Sequence, residues 1–267
     1  MSARAALPEG VRVLVRGWLH GNTTLLDAGG ASVVVDCGYH VGSGELRAWL
    51  GEADARLGHV LLTHCHSDHA GGVAALEEQQ PRVWASVASR ALVAEWDERG
   101  LWLGHSGQEL PRFEVHESLT PGQILRLGPW CIEVLATPGH MSSALSFYLP
   151  ELNLVITGDA LWERGFGLLD PWVEGEGCFQ GAATALAVLA RLPSDTLVIP
   201  GHGPPFLGLH HAVGIAEQRL ERLRHDRREV RRQILASGLG FLKMARPELG
   251  AAALAGAEAR LLEQHPL

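Results

Sequence analysis

The run Thr63-His64-Cys65-His66-Ser67-Asp68-His69 places four metal-competent side chains within six residues, and it constrains the fold more than any other segment. It follows His59-Val60-Leu61-Leu62, an apolar pattern that predicts a buried strand over 59–63. If the backbone stays extended past that strand, His64, His66 and Asp68 project to one side at period two. His69 then falls at the entrance of the next helix, and Cys65 points away from its neighbours. Gly71-Gly72 lets the helix start come close to the cluster.

The same arrangement recurs three times. His140 follows Thr137-Pro138-Gly139 after the apolar run 131–135. Asp159 follows Thr157-Gly158 after the run 154–156, and His202 follows Pro200-Gly201 after the run 197–199. A single His-x-His pair or Gly-Asp turn is ordinary. Four strand ends that all deliver ligand types are not, because loops held by a rigid sheet are where sites are built. Imidazole and carboxylate donors suit zinc, and also iron, manganese or nickel.

The remaining pattern predicts an α/β chain. Strands are expected over 11–15, 23–26 and 32–36, with Asp27-Ala28-Gly29-Gly30 as a hairpin turn. Helices are expected over 45–57, 70–79 and 87–98, with a strand over 83–85 between the last two. Further strands fall at 124–127, 131–135, 144–149, 154–157 and 196–199, and a helix at 178–192. Everything after Pro205 has helical character, with one arginine-rich helix over 211–236 and an alanine-rich one near the end. These C-terminal helices are a small subdomain or packing elements of the same domain.

Composition narrows the function classes. The formal net charge of −8 argues against the broad basic surface of a non-specific nucleic-acid binder. Arg219, Arg222, Arg224, Arg227, Arg228, Arg231 and Arg232 are interleaved with Glu217, Glu221, Asp226 and Glu229, the pattern of a solvated, ion-paired helix face. No apolar run reaches the roughly eighteen residues of a membrane span, and residues 1–10 lack a secretory apolar stretch. Cys37, Cys65, Cys131 and Cys178 show no C-x-x-C spacing and read as reduced thiols, so a cytoplasmic protein is expected.

Residues 63–72 resemble the T-H-x-H-x-D-H-x-G-G signature of the metallo-β-lactamase superfamily. Thr137-Pro138-Gly139-His140, Gly158-Asp159 and Pro200-Gly201-His202-Gly203 resemble that family's other ligand motifs, in the family's order. The resemblance implies an αββα sandwich of two mixed sheets flanked by helices over 1–205, followed by a C-terminal helical extension over 206–267. It assigns His64, His66 and His140 to a first metal, Asp68, His69 and His202 to a second, and Asp159 to a bridge between them. Asp36, in Val35-Asp36-Cys37-Gly38, is similar to the family's Asp-x-Gly and implies a partner for a ligand histidine; an ordinary turn carboxylate is the other reading.

Two divalent metal ions are implied, Zn2+ first and Fe or Mn as alternatives. Two ions about 3.5–4 Å apart can hold a bridging hydroxide at neutral pH. The expected activity is hydrolysis of an ester-like bond, a thioester or lactone, in a small molecule, with Asp68 and Asp159 as catalytic carboxylates. The presence of Asp159 argues against the penicillin-hydrolysing branch, and His66 stands where flavodiiron members carry glutamate. Members resembling glyoxalase II, other thioesterases and lactonases remain. The segment 160–167 departs from the glutathione-thioesterase pattern, and Trp162 and Phe166, with Trp172 and Phe179 beyond, are candidates for a substrate-pocket wall. The alternatives are a mononuclear-iron oxidoreductase of the persulfide dioxygenase type and a regulatory or nucleic-acid-binding role for the arginine-rich helix. The C-terminal helices are candidates for a homodimer contact or a lid.

Overall fold

A strand buried at every position has to be covered on both faces. β3 (Ser32–Val35), β10 (Leu154–Gly158) and β11 (Leu197–Pro200) are buried along their whole length, and the layers around them follow. The computed structural model describes residues 5–17, 19–27, 29–103 and 108–266. Ala28 of the expected hairpin turn and residues 1–4 of the N-terminal stretch lie outside them.

Among the described residues, the first sheet has the order β1-β2-β3-β4-β5-β6 and the second β11-β10-β9-β8-β7. The first comprises β1 (Val11–Leu14), β2 (Thr23–Leu26), β3, β4 (Leu57–Leu61), β5 (Arg82–Ser86) and β6 (Glu117–Leu119). The second comprises β7 (Ile124–Leu127), β8 (Trp130–Ala136), β9 (Leu145–Leu149), β10 and β11. Both sheets are mixed: β3, β4, β5 and β6 run parallel, as do β10 and β11, and the other pairs are antiparallel.

Period-two alternation sorts the side chains into three cores. Val33, Val35 and Leu61 meet Phe147, Ile156 and Ile199 between the sheets. Val34 and Val60 face the other way, against Leu46 and Leu50 of α1 (Ser43–Glu52) and Val93 of α3 (Val87–Glu95). Val155 and Val198 point out of the second sheet onto Leu186 of α4 (Gly177–Leu189) and Leu209 of α5 (Leu209–His225). The result is the αββα sandwich. The outermost core crosses the 205/206 division, because Ala216, Leu220, Val230 and Ile234 belong to the same cluster as Val155.

Several expected elements differ. The helix expected over 45–57 stops at Glu52, and Asp54 takes a left-handed φ of 48° before β4 begins. The helix expected over 70–79 is a short α2 (Ser67–Ala70) followed by a 3-10 segment, Val73–Gln79. The arginine-rich helix is broken in two: α5 ends at His225, and α6 (Arg227–Ala245) starts afresh with Asp226 as its N-cap, accepting from the Glu229 amide at 3.0 Å. The spacing Asp226-x-x-Glu229 is a helix-start signal inside a helical pattern. β6 had no expectation at all.

The last helix, α7 (Ala251–Gln264), is fastened at its end. His265 donates from Nδ1 to the Leu261 carbonyl at 2.8 Å and from Nε2 to Asp170 Oδ2 at 3.1 Å, with both residues buried. Two acceptors on one ring favour the cation. Burial works against that charge, but the bonds to Asp170 and Leu261 outweigh it and raise the pKa above the usual imidazole value. A pKa raised on folding adds stability in full below the unfolded value of about 6.5 and loses it as pH rises through the folded value. The expected outcome is that His265→Ala costs about 3–5 kcal/mol near pH 5.5. The Tm gap to the unmodified protein should narrow above neutrality; a gap independent of pH contradicts the charged pair.

Candidate metal centre

The sheet topology brings five strand ends to one edge. β3 and β4 are parallel, and so are β10 and β11. β8 is two antiparallel steps from β10 and therefore runs in the same direction. Asp36 follows β3, the cluster at 63–69 follows β4, and His140, Asp159 and His202 follow β8, β10 and β11. Main-chain bonds lace the loops together: Leu145 N donates to the Thr63 carbonyl at 2.8 Å, Gly21 N to Asp68 at 2.9 Å and Asn22 N to Gly201 at 2.6 Å.

His66 is still in extended backbone, but Asp68 does not continue the period-two pattern. His66 is the N-cap of α2, so Asp68 and His69 project from a helical turn. The turn aims two adjacent residues at the same point, which an extended chain cannot do.

All seven residues meet. The donor atoms of His64, His66 and His140 lie within 4.8 Å of one another, as do those of Asp68, His69 and His202, and those of His64, His69 and Asp159. Nδ1 of His66 is 2.8 Å from Nε2 of His140. Asp159 stands between the groups: its Oδ2 is 3.4 Å from His140 Nε2, while its Oδ1 is 3.4 Å from His69 Nε2 and 3.6 Å from His202 Nε2. Asp68 Oδ2 is 3.2 Å from His202 Nε2. Gly201 has to be glycine, since a methyl group there would collide with Asp159 Oδ1 and come within 2.8 Å of the His69 ring.

Asp36 determines which ring nitrogens face inward. Its Oδ2 accepts from His69 Nδ1 at 2.7 Å and from the Thr63 hydroxyl at 2.7 Å, and its Oδ1 accepts from the Thr63 amide at 2.8 Å. With its proton committed to Asp36, the Thr63 oxygen accepts from His64 Nδ1 at 3.0 Å. His140 Nδ1 donates to the Leu168 carbonyl at 2.6 Å. In each ring Nδ1 is held as a donor, leaving Nε2 of His64, His69 and His140 directed into the cluster. Asp36 takes a φ of 56°, a conformation aspartate tolerates better than most residues.

The electrostatics favour a cation. Burial and then the neighbouring His69, His66 and His140 push the His64 pKa well below the ordinary value, so the ring is neutral. Burial opposes ionisation of Asp159, yet His202, His69 and His140 hold its carboxyl well below the usual range. Burial also opposes charge on His69, but Asp36, Asp68 and Asp159 outweigh it and raise its pKa well above normal, so these carboxylates draw positive charge to its Nε2, as a proton or, in its place, a metal ion. The buried Nε2 atoms of His64 and His69 have no hydrogen-bond partner. A stranded buried polar atom costs about 1–3 kcal/mol, and a metal ion satisfies such atoms. The seven donors fit a pair of divalent ions.

A cavity of about 250 Å3 opens above the cluster. Trp162 lines it as expected; its Nε1 donates to Asp159 Oδ1 at 3.2 Å and its ring lies 5.1 Å from that of His202. Phe166 does not line it. That ring is 2% exposed in the core with Leu169 and Phe179, because the 162–165 turn folds it inward under Arg219. Phe179 is likewise core, and Trp172 donates to the Pro266 carbonyl. Trp102 was missed: its ring packs 4.3 Å from His66 and 5.1 Å from His140, and no motif around it signals this. Arg219, Arg232, Gln233 and Phe241 reach the cavity from α5 and α6. Packing of these helices on the outer core of the second sheet, not the local pattern, places them over the site.

The family model described as Metallo-beta-lactamase superfamily matches residues 16–202. A hydroxyacylglutathione hydrolase of Cereibacter sphaeroides is 34% identical over 175 residues, covering 66% of this chain and 58% of that protein. The chain thus spans little more than half the length of that curated relative. The mitochondrial persulfide dioxygenase of Homo sapiens is 27% identical over 198 residues, covering 74% of this chain and 66% of that protein. A solved structure described as a di-iron-bound form is 30% identical with a TM-score of 0.58, covering 79% of this chain and 98% of the other.

Removing the Asp36 carboxylate strands the Thr63 amide and hydroxyl and the His69 donor in the interior. Asp36→Ala is expected to cost about 3–5 kcal/mol in urea unfolding, and Asp36→Asn, which keeps one acceptor oxygen, distinctly less. A loss within about 0.5 kcal/mol for Asp36→Ala, the range of an ordinary surface change, contradicts the role of Asp36.

Proposed function

The chain belongs to the metallo-beta-lactamase superfamily, and on that footing we propose that it is a dinuclear metal-dependent hydrolase acting on an ester-like bond, a thioester or lactone, in a small molecule. One observation carries the reading: the two oxygens of Asp159 face two separate donor groups. His64, His66 and His140 would hold one ion and Asp68, His69 and His202 the other, with Asp159 shared. Zinc suits these donors first, and iron or manganese suits them too. When bound, two such ions supply Lewis acidity toward a carbonyl oxygen and lower the pKa of water.

The chain's own residues do the rest. Asp68 is buried, which raises its pKa, but His69 and His202 bring it below the usual carboxylate range. It is therefore ionised at neutral pH and placed to take a proton as water attacks the carbonyl carbon. Returning that proton to the departing sulfur or oxygen completes the cleavage. The Leu168 carbonyl and Asp36 keep His140 and His69 in fixed orientation through the cycle. Trp102 and Trp162 flank the cluster and exclude bulk water from two sides. The relative named hydroxyacylglutathione hydrolase supports a thioester. A cavity of about 250 Å3 suits a small acyl group.

The relative named persulfide dioxygenase favours a second reading, an oxidoreductase with a single iron. Metal content and a panel of thioester, lactone, phosphodiester and β-lactam substrates separate the two. About two equivalents of metal per chain, with thioester or lactone turnover lost on chelation and restored by adding metal back, is the expected result. One iron per chain with oxygen consumption on a persulfide overturns it. Asp68→Asn is expected to lower kcat by about 10²–10⁴-fold, and Asp159→Ala to deplete both ions where His140→Ala depletes chiefly one.

A further inference from the structure

Two arginines line the cavity, and they are partnered differently. Arg232 reaches the cavity from α6, but its guanidinium is bidentate on Glu229, with bonds of 2.7 Å from Nε and from Nη2. Arg219, which lines the same cavity from α5, has no such partner. It donates from Nη1 to the Phe166 carbonyl and from Nη2 to Gln233 Oε1 at 2.9 Å, both neutral acceptors. Among the described residues no carboxylate lies within 4.0 Å of it.

The local structure is built to hold this guanidinium still. It stacks on the Phe166 ring, 4.7 Å from the centroid. Gly165, at a φ of 147°, leaves space that a side chain would take, since a methyl group there would lie 2.6 Å from Nη1. Gln233 is itself oriented, its Nε2 donating to Glu229 at 2.7 Å. The turn that carries Phe166 leads directly to Gly167, whose amide donates to the Asp159 carbonyl at 2.7 Å. Arg219 is thus fixed one residue away from the backbone that packs on the metal cluster.

Two of the five donors of an arginine are engaged here, and no nitrogen of Arg219 is among the enclosed polar atoms lacking a partner. Nε–H and one N–H on each of Nη1 and Nη2 remain for a ligand in the cavity that Arg219 lines, and a guanidinium matches a carboxylate in shape. Burial and the like charge of Arg222 lower the pKa of Arg219, against Glu229 and Asp159, which raise it from beyond contact distance. A partly desolvated cation whose direct hydrogen-bond partners are neutral gains from a counter-ion in contact.

The geometry points to Arg219 as a specificity-determining residue that selects substrates carrying a carboxylate on the group held beside the metal cluster. This inference rests on the hydrolase reading for the bond cleaved, though not for the binding preference. Neither Arg232, which Glu229 already neutralises, nor the indole of Trp162 can make that selection.

The test uses the metal-loaded protein and two thioesters of equal length, one ending in a free carboxylate and the other in its methyl ester. The unmodified protein is expected to favour the carboxylate by about tenfold or more in kcat/KM, chiefly through KM. Arg219→Gln should bring the ratio close to one, and Arg219→Lys, which keeps the charge but not the fork, should restore part of it. A role confined to holding the 162–167 turn would lower both substrates alike in Arg219→Gln, and that result overturns the inference. So does an unmodified protein indifferent to the carboxylate, while leaving the hydrolase reading intact. Calorimetric binding of the two matching amides, which are not cleaved, gives a readout independent of turnover. A carboxylate preference present in the unmodified protein and absent in Arg219→Gln upholds the inference even if no thioester is hydrolysed. Equal binding of both amides by both proteins rules it out.

Discussion

The buried carboxylate of Asp36 is the contact on which the rest of the site depends. It takes three hydrogen bonds, from the His69 ring, the Thr63 hydroxyl and the Thr63 amide. Through the Thr63 hydroxyl its influence extends to His64. One oxygen pair therefore fixes the orientation of two of the five clustered histidines and the path of the loop that carries four of the seven donors. A free imidazole chooses between two tautomers and many rotamers, and a converging cluster forms only where that choice has been made in advance. Asp36 sits at the end of β3, so the decision is anchored in the sheet.

The sandwich explains why distant segments reach one place. Parallel neighbours carry their C-terminal ends to the same edge, and the main-chain bond from Leu145 to Thr63 ties one sheet's loop to the other's strand. Above that edge the C-terminal helices close one side of the cavity with Arg219, Gln233 and Phe241. The same helices share a core with β10 and β11. The packing that stabilises the outer layer is therefore also what shapes the space over the cluster. The buried pair His265 and Asp170 holds the end of the chain beside the loop whose Leu168 carbonyl orients His140.

Much of this was legible in the sequence where the signal is local. Apolar runs ending in Gly-His or Gly-Asp gave away His140, Asp159 and His202, and the 63–69 run gave away the remaining four donors. The alternation of strands and helices gave an α/β chain, and the sandwich came from the resemblance of the ligand motifs to a known family. What the pattern concealed was set by tertiary contacts. Asp68 was expected on extended backbone and lies on a helical turn. Phe166 reads as a pocket residue beside the bridging aspartate, but the turn before it folds the ring into the core. Trp102 gave no signal, because its importance lies only in where the segment after α3 passes His66. The break at Asp226 was visible as a capping pattern and was overridden by the longer helical period around it.

The central claim is that seven side chains from four segments hold two cations with Asp159 between them. Anomalous diffraction from crystals of the protein as isolated, collected on either side of the zinc and iron edges, tests it most directly. The account requires two peaks about 3.5–4 Å apart, one among His64, His66 and His140 and the other among Asp68, His69 and His202. A single peak confined to one group, or no peak at this sheet edge in protein that is active, would contradict it.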